Sequence, residues 1–159
     1  MREVSLVLLI KENQILLAMK KRGFGVGRWN GVGGKIDKEL GDSNVLDSAI
    51  RETKEEIVVN IKNPEKYAII DFYFPKSKKH FNQQVHIYMV KEWGGEPEET
   101  EEMKPKWFDI QNIPYNNMWD DDKFWLPLFL KNKKTKCKFF FDDDDKIINK
   151  EINIVNRLK

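Results

Sequence analysis

The sequence has a single cysteine, Cys137. That excludes an internal disulfide framework and suits a reducing compartment. With no CxxC partner, Cys137 reads as a packed or idle thiol. Long apolar runs are missing too. The one near the N-terminus, within MREVSLVLLIKEN, covers about six residues. It is too short for a membrane span and lacks the small-residue cleavage site of a signal peptide. No membrane contact is therefore expected, and the cytoplasm is the default location. Neither sign of charge is in excess. The net charge of +2 does not by itself call for nucleic acid, and no stable nucleic-acid complex is expected. Internal repeats are absent. So is the GxxxxGK[ST] phosphate loop, and no conventional βαβ pattern supports a dinucleotide fingerprint. What remains is 40% hydrophobic and 34% charged over 159 residues, which predicts one soluble domain, 1–159, with one core.

Alternation and apolar runs predict strands over residues 4–10 and 15–19, joined as a hairpin across Glu12-Asn13-Gln14. Further strands are predicted over residues 67–74, 84–90 and 106–110, with a closing hairpin of 138–141 and 147–155. The basic connection PKSKKHFN reads as a solvent loop, and Trp93-Gly94-Gly95 as a break in the sheet. Residues 116–130 read as a helix with an aromatic face. Pro127 makes that helix kink or start late, and Asp120, Asp121 and Asp122 suit its N-terminus. The Asp run 142–145 reads as compositional bias. The tail from Lys131 carries a local net charge of +4 and reads as a solvated hairpin rather than an RNA contact.

The most informative stretch is GGKIDKELGDSNVLDSAIRETKEEIVV, residues 33–59. Val45, Leu46, Ala49, Ile50, Thr53 and Ile57 recur at helical spacing and predict one buried stripe. Glu52, Glu55 and Glu56 then share a neighbouring face. Three carboxylates so placed repel one another, and a hard divalent cation such as Mg²⁺ relieves that repulsion through oxygen ligands. Spacing alone leaves open an ordinary solvated acidic face. Upstream, MKKRGFGVGRWNGVGGK is glycine-rich and holds Phe24 and Trp29. Such a loop lets backbone N–H groups approach phosphate, although a plain surface turn has the same composition. Glu101 and Glu102 belong to an acidic loop that offers further carboxylates or is merely solvated.

The 33–59 stretch resembles a Nudix box, G-x5-E-x7-R-E-U-x-E-E-x-G-U with U bulky and apolar. Gly34 matches the leading glycine, and Arg51 to Glu56 match R-E-x-x-E-E. The rest departs from the pattern. Sixteen residues separate Gly34 from Arg51 where the family has thirteen. Counted from either end, the first glutamate falls on Leu40 or Ser43, with Asp42 or Glu39 as stand-ins. Thr53 replaces an apolar residue and Val58 the second glycine. MKKRGFGVGRWNGVGGK, EEMKPKWF and MWDDDKFWLPLFL resemble those Nudix enzymes, the eukaryotic MutT homologues, that hydrolyse oxidised purine nucleoside triphosphates such as 8-oxo-dGTP.

That resemblance implies an α/β fold, a mixed and mostly antiparallel sheet sandwiched between helices. It implies Mg²⁺, with Mn²⁺ as a substitute, held by Glu52, Glu55, Glu56, Glu102 and the Gly34 carbonyl. Glu56 is the first candidate for general base and Glu102 the second. Lys35 and the Gly33-Gly34 backbone would cradle phosphates. Asn30, Asp121 and Asp122 would read the base edge and Trp119 would stack on it, with Phe72 and Phe74 lining the pocket and Ser5 and Lys20 at its mouth. The family has threonine at Ser5 and proline at Asp120, and different residues at Gln83 and Gln84. Arg51 is expected to brace the loop, with its acidic partner unassigned. A monomer acting on a small nucleotide is expected. Two rivals stand beside this reading: hydrolysis of another pyrophosphate (a dinucleoside polyphosphate, an inositol pyrophosphate or capped RNA), or nucleotide or RNA binding without catalysis.

Overall fold

The structure, a computed structural model, describes residues 1–158. Lys159, the end of the expected domain, lies outside the described residues. The strands are β1 (Arg2–Lys11), β2 (Gln14–Lys20), β3 (Trp29–Asn30), β4 (Asn60–Lys62), β5 (Glu65–Tyr73), β6 (Gln83–Val90), β7 (Glu92–Gly94), β8 (Met103–Asp109), β9 (Lys134–Phe141) and β10 (Ile147–Val155). Two α-helices, α1 (Val45–Ile57) and α2 (Asp122–Leu130), complete the framework.

The main sheet runs β10-β9-β5-β6-β1-β2-β3, with β8 on the other edge of β2. β1 is parallel to β6 and β5 to β9, while the remaining pairs are antiparallel. The sheet is mixed and mostly antiparallel, as the sequence predicts. Side chains alternate across its two faces. Val7 and Leu9 of β1 pack with Ala49 and Ile57 of α1. Leu8 packs with Leu126 and Phe129 of α2. The sheet therefore lies between the two helices. Among the described residues no helix is long and apolar enough to cross a membrane.

β1 and β2 pair only beside their hairpin, at Ile10↔Ile15 and Lys11↔Gln14, and then diverge. Residues 29–35 fill the fork. Trp29 and Asn30 pair with β2, and Val32 and Lys35 bridge to Val7 and Val4 of β1. A Cβ on Gly33 would stand 2.1 Å from the Ser5 carbonyl oxygen, and Gly33 has φ +153°. Only glycine fits there.

Two expectations need correction, and a third is borne out. In α1 the buried face is Val45, Ser48, Ala49, Thr53, Glu56 and Ile57, whereas Leu46 and Ile50 are 36% and 42% exposed. The stripe is rotated because polar Ser48 and Glu56 take inward positions to make hydrogen bonds with the loop in the fork. Trp93-Gly94 does not end strand structure. It belongs to β7, which pairs with β4 in a separate two-stranded sheet, where Trp93 stacks on Trp107. The aromatic helix starts late, at Asp122, after a short 3₁₀ turn at Tyr115–Asn117, and Pro127 lies inside it.

Two departures in the acidic segment have local explanations. The Thr53 hydroxyl donates to the Ala49 carbonyl at 2.7 Å, so a polar group is satisfied in a fully buried position. Val58 ends α1 with φ 63° and ψ 37°, and its N–H donates to the Lys54 carbonyl. A β-branched residue is strained in this left-handed conformation, which costs about 1–2 kcal/mol. Val58→Gly should therefore raise stability by about 0.5–1 kcal/mol after glycine's extra unfolded-state freedom is counted. That corresponds to a rise of roughly 2 °C in Tm. A lower Tm in a thermal melt would refute the strain.

Candidate active site

One cleft of about 400 Å³ joins two chemically different ends. Gly33, Gly34, Lys35, Lys20, Glu52 and Glu56 line one end, and Trp119, Asp121, Asp122, Phe72, Phe74 and Asn30 the other. Sequence positions far apart meet here because β1, β2 and the loop in their fork lie between the second half of α1, which carries Glu52 and Glu56, and the start of α2, which carries Asp122.

At the acidic end, Glu56 is buried and its Oε1 accepts the Gly33 N–H at 2.9 Å. Burial, opposed by that hydrogen bond, and the charges of Glu52 and Glu102 push its pKa up to about 8. Burial raises Glu52 as well, against the Arg51 guanidinium, with Glu55 and Glu102 adding to the rise. Glu102 is exposed, 3.6 Å from Arg22, yet within electrostatic reach of both. Among the described residues no three acidic side chains converge closely enough to form a ready-made cage. Arg51 Nη1 donates to Glu52 at 3.0 Å and to Glu55 at 3.2 and 3.1 Å, which holds both aside. The donor set still fits a hard divalent cation. Carboxylates that raise one another's pKa are relieved by a positive ion with oxygen preference.

The Gly34 carbonyl, expected among the metal's oxygens, also takes part in hydrogen bonds within the protein. It accepts the Ser5 N–H at 2.9 Å and the hydroxyls of Ser5 and Ser48 at 3.2 and 3.3 Å. Ser5 lines the cleft and is fully buried against the loop. A Cβ on Gly34 would meet the Glu52 carboxyl carbon at 2.6 Å, so this glycine makes room for the acid.

The longer loop before α1 folds on itself. Asp37 caps a 3₁₀ turn at Lys38–Leu40, which Gly41 closes with φ +98°. The turn delivers Asp42 to Arg51. Arg51 Nη2 donates to Asp42 Oδ2 at 2.8 Å and Nε to both carboxylate oxygens at 3.1 Å. Arg51 also donates to the Lys35 carbonyl at 3.2 Å. Asp42 is buried, and its pKa is held low chiefly by the Arg51 hydrogen bond. Asn44 then caps α1 by accepting the Asp47 N–H at 2.9 Å.

At the aromatic end, Trp119 is ringed by Phe24, Phe74 and Phe141 at centroid distances of 5.1, 6.0 and 5.8 Å. Asp121 and Asp122 are 2% and 3% exposed. Asp121 Oδ2 accepts Trp125 Nε1–H at 2.7 Å, while Asp122 Oδ2 has no partner. Burial and the adjacent Asp121 charge push Asp122 well above the ordinary carboxylate range. Two adjacent buried acids disfavour ionising both carboxyls, so the pair favours keeping one proton between them. Asn30 Oδ1 accepts the Gly31 N–H at 2.8 Å, which orients its amide.

Residues 1–129 match the NUDIX domain. The chain belongs to the NUDIX family. It is 39% identical over 155 residues to the oxidized purine nucleoside triphosphate hydrolase of Mus musculus, an alignment covering 98% of this chain and 96% of the relative. The corresponding Danio rerio protein has the same identity and coverage. Among solved structures, a MutT protein from Bacillus halodurans superposes with a TM-score of 0.82, covering 96% of this chain and 98% of that one, at 22% identity. At that identity the likeness speaks to the NUDIX fold alone.

Sequence reasoning missed several residues lining the cleft. Phe24 and Phe81 stack at 4.0 Å, and Phe81 comes from the PKSKKHFN loop that reads as solvent-exposed. Arg28 lies over Trp119. Their signal was available only as aromatic and basic residues within glycine-rich or basic loops.

Two tests follow from this geometry. Asp42→Ala leaves the largely buried Arg51 without its principal partner, and should cost about 3 kcal/mol in urea denaturation. A loss under about 1 kcal/mol would make the clamp an ordinary surface pair. The second concerns pH. The folded-state pKa of Asp122 is raised, so between the unfolded carboxylate pKa and its folded value the native state holds the extra proton. Stability should fall as pH rises through that window. Asp122→Asn, isosteric with the protonated acid, should flatten the slope, and an unchanged slope in urea titrations at successive pH values would contradict it.

Proposed function

We propose that this NUDIX protein is a single-domain diphosphatase, over residues 1–159, that hydrolyses oxidised purine nucleoside triphosphates to the monophosphate and pyrophosphate. The observation that carries the reading is the continuity of one cleft, with a buried carboxyl pair and an aromatic wall at one end and a carboxylate face at the other. The names of the mouse and zebrafish relatives support it.

Trp119 offers the purine a π-face worth about 1–3 kcal/mol. One acid of the Asp121–Asp122 pair donates from the proton the pair keeps while the other accepts, and such a pair reads an edge that has both an oxo and an amino group. The Asn30 amide supplies a further donor or acceptor. Ordinary and oxidised purines differ in where those groups and ring protons lie. Lys20, Lys35 and the Gly33-Gly34 backbone face the phosphate chain. Glu52, Glu55, Glu56, Glu102 and the Gly34 carbonyl would hold Mg²⁺ or Mn²⁺, which when bound neutralises phosphate charge and acidifies water. Glu56, with a pKa near neutrality in a buried setting, accepts the proton of the attacking water, with Glu102 as the second candidate. Such an enzyme cleanses the nucleotide pool of the cytoplasm, acting as a monomer.

Pyrophosphate release with Mg²⁺ should be faster for 8-oxo-dGTP and 2-oxo-dATP than for dGTP or a dinucleoside tetraphosphate. Glu56→Gln should lower kcat by roughly a hundredfold or more. Trp119→Ala should raise KM for purine substrates about tenfold. Binding without turnover of any of the four nucleotides would overturn the enzyme reading, and preference for the dinucleoside would overturn the substrate.

A further inference from the structure

The Asp run 142–145 is the tip of the β9–β10 hairpin, and it docks against the wall of the cleft. Asp142 shapes the tip, its Oδ1 accepting the N–H groups of Asp144 at 2.8 Å and Lys146 at 3.0 Å. Asp145 has φ 59°, and this turn directs its carboxylate onto two other loops. Asp145 Oδ2 accepts from Arg28 Nη2 at 3.2 Å, and Oδ1 from Lys78 Nζ at 3.4 Å. Lys78 also donates to the Asp143 carbonyl at 3.0 Å, and the Ser77 hydroxyl to Asp143 Oδ1 at 3.2 Å. Just past the tip, the Ile147 N–H donates to Asp120 Oδ2 at 3.0 Å, immediately before the buried acid pair.

Arg28 completes the connection. Its guanidinium carbon lies 4.2 Å from the centroid of Trp119. The plane of a guanidinium stacks on an indole face as an ammonium does not, and the ring quadrupole attracts the cation. Arg28 and Asp145 side chains are 32% and 20% exposed, so their pair is partly withdrawn from solvent screening. A side chain fixed at both ends, by a carboxylate and by a ring, loses little further freedom when a ligand arrives.

We infer that Asp145 is a positioning residue for the base end of the cleft. Acting through Arg28, it fixes the Trp119 ring and thereby sets affinity for the base rather than the rate of chemistry at the phosphates. The inference rests on the proposed purine reading for its ligand, and the acidic tip acquires a task that its composition does not suggest. Lys78 and Ser77 tie the tip to the β5–β6 connection, so three loops distant in sequence hold one ring.

The test is a double-mutant cycle on the full chain, with 8-oxo-dGTP turnover in Mg²⁺ and 8-oxo-dGMP binding by calorimetry. Arg28→Ala and Asp145→Ala should each raise KM and Kd about tenfold, with kcat falling less than threefold. The double variant should be no worse than Arg28→Ala alone, because both changes break one chain of contacts. Asp145→Glu should recover part of the affinity, and Arg28→Lys should keep the ion pair yet still weaken binding through the lost stack. Additive losses in the double variant, or unchanged KM with a lowered Tm, would overturn the inference and leave the tip a structural clasp. If Asp145→Ala fails to fold, Arg28→Ala and Arg28→Lys against wild type decide it, and a KM unmoved in both refutes the role. Wild-type protein that neither binds 8-oxo-dGMP nor turns over 8-oxo-dGTP removes the proposed function and this inference together. Wild-type turnover with additive losses removes this inference alone.

Discussion

The cleft depends on a steric constraint between Gly33 and the Ser5 carbonyl. β1 and β2 separate after their hairpin, and the backbone that fills the fork comes so close to β1 at Gly33 that no Cβ fits there. Gly33 supplies the gap, and its N–H then meets Glu56. One contact therefore joins the sheet, the loop and the acidic helix. Ser5 and Ser48 reinforce it from below through the Gly34 carbonyl. A loop built this way is held by the protein itself before any ligand arrives, which lowers the ordering cost of binding.

The same logic governs the segment between Gly34 and α1. Extra chain in a loop costs little entropy, but a longer loop must still deliver an acid to Arg51. A 3₁₀ turn closed by Gly41 absorbs the surplus, and Asp42 arrives within hydrogen-bonding range. Arg51 then serves as a hub, linking Asp42, Lys35, Glu52 and Glu55. Its positive charge tempers the repulsion among the acids, and a bound cation would compete with it for the same carboxylates.

Much of the framework was legible in the sequence, because alternation along strands and the breaks between them follow directly from burial on a two-faced sheet. The strands around residues 4–10, 84–90 and 147–155 lie where they were expected, within a residue or two. The face of α1 was harder to read. Leu46 and Ile50 suggested burial by hydrophobicity, yet Ser48 and Glu56 took those inward places through hydrogen bonds that no periodicity reveals. The partner of Arg51 depended on how a loop closes, and Asp42 and Glu39 were equivalent until it did. The NUDIX resemblance named Trp119, Asp121 and Asp122 together, but not Arg28 or Asp145, which meet across 117 positions of sequence. Pairings of that length leave no local pattern.

The parallel pairing of β5 with β9 carries a consequence for how the protein comes to exist. Strands so joined are far apart along the chain, and such contacts form late because the intervening loop must close first. Phe139 and Phe141, which pack behind Phe72, belong to that last-arriving hairpin. During synthesis Phe72, Phe74 and Trp119 leave the ribosome before Phe139 and Phe141, the rings they pack against. The interval presents a bare aromatic surface to the ribosome's surroundings, a period in which chaperone capture competes with closure. The aromatic wall of the cleft is therefore the part whose packing partners are synthesised last.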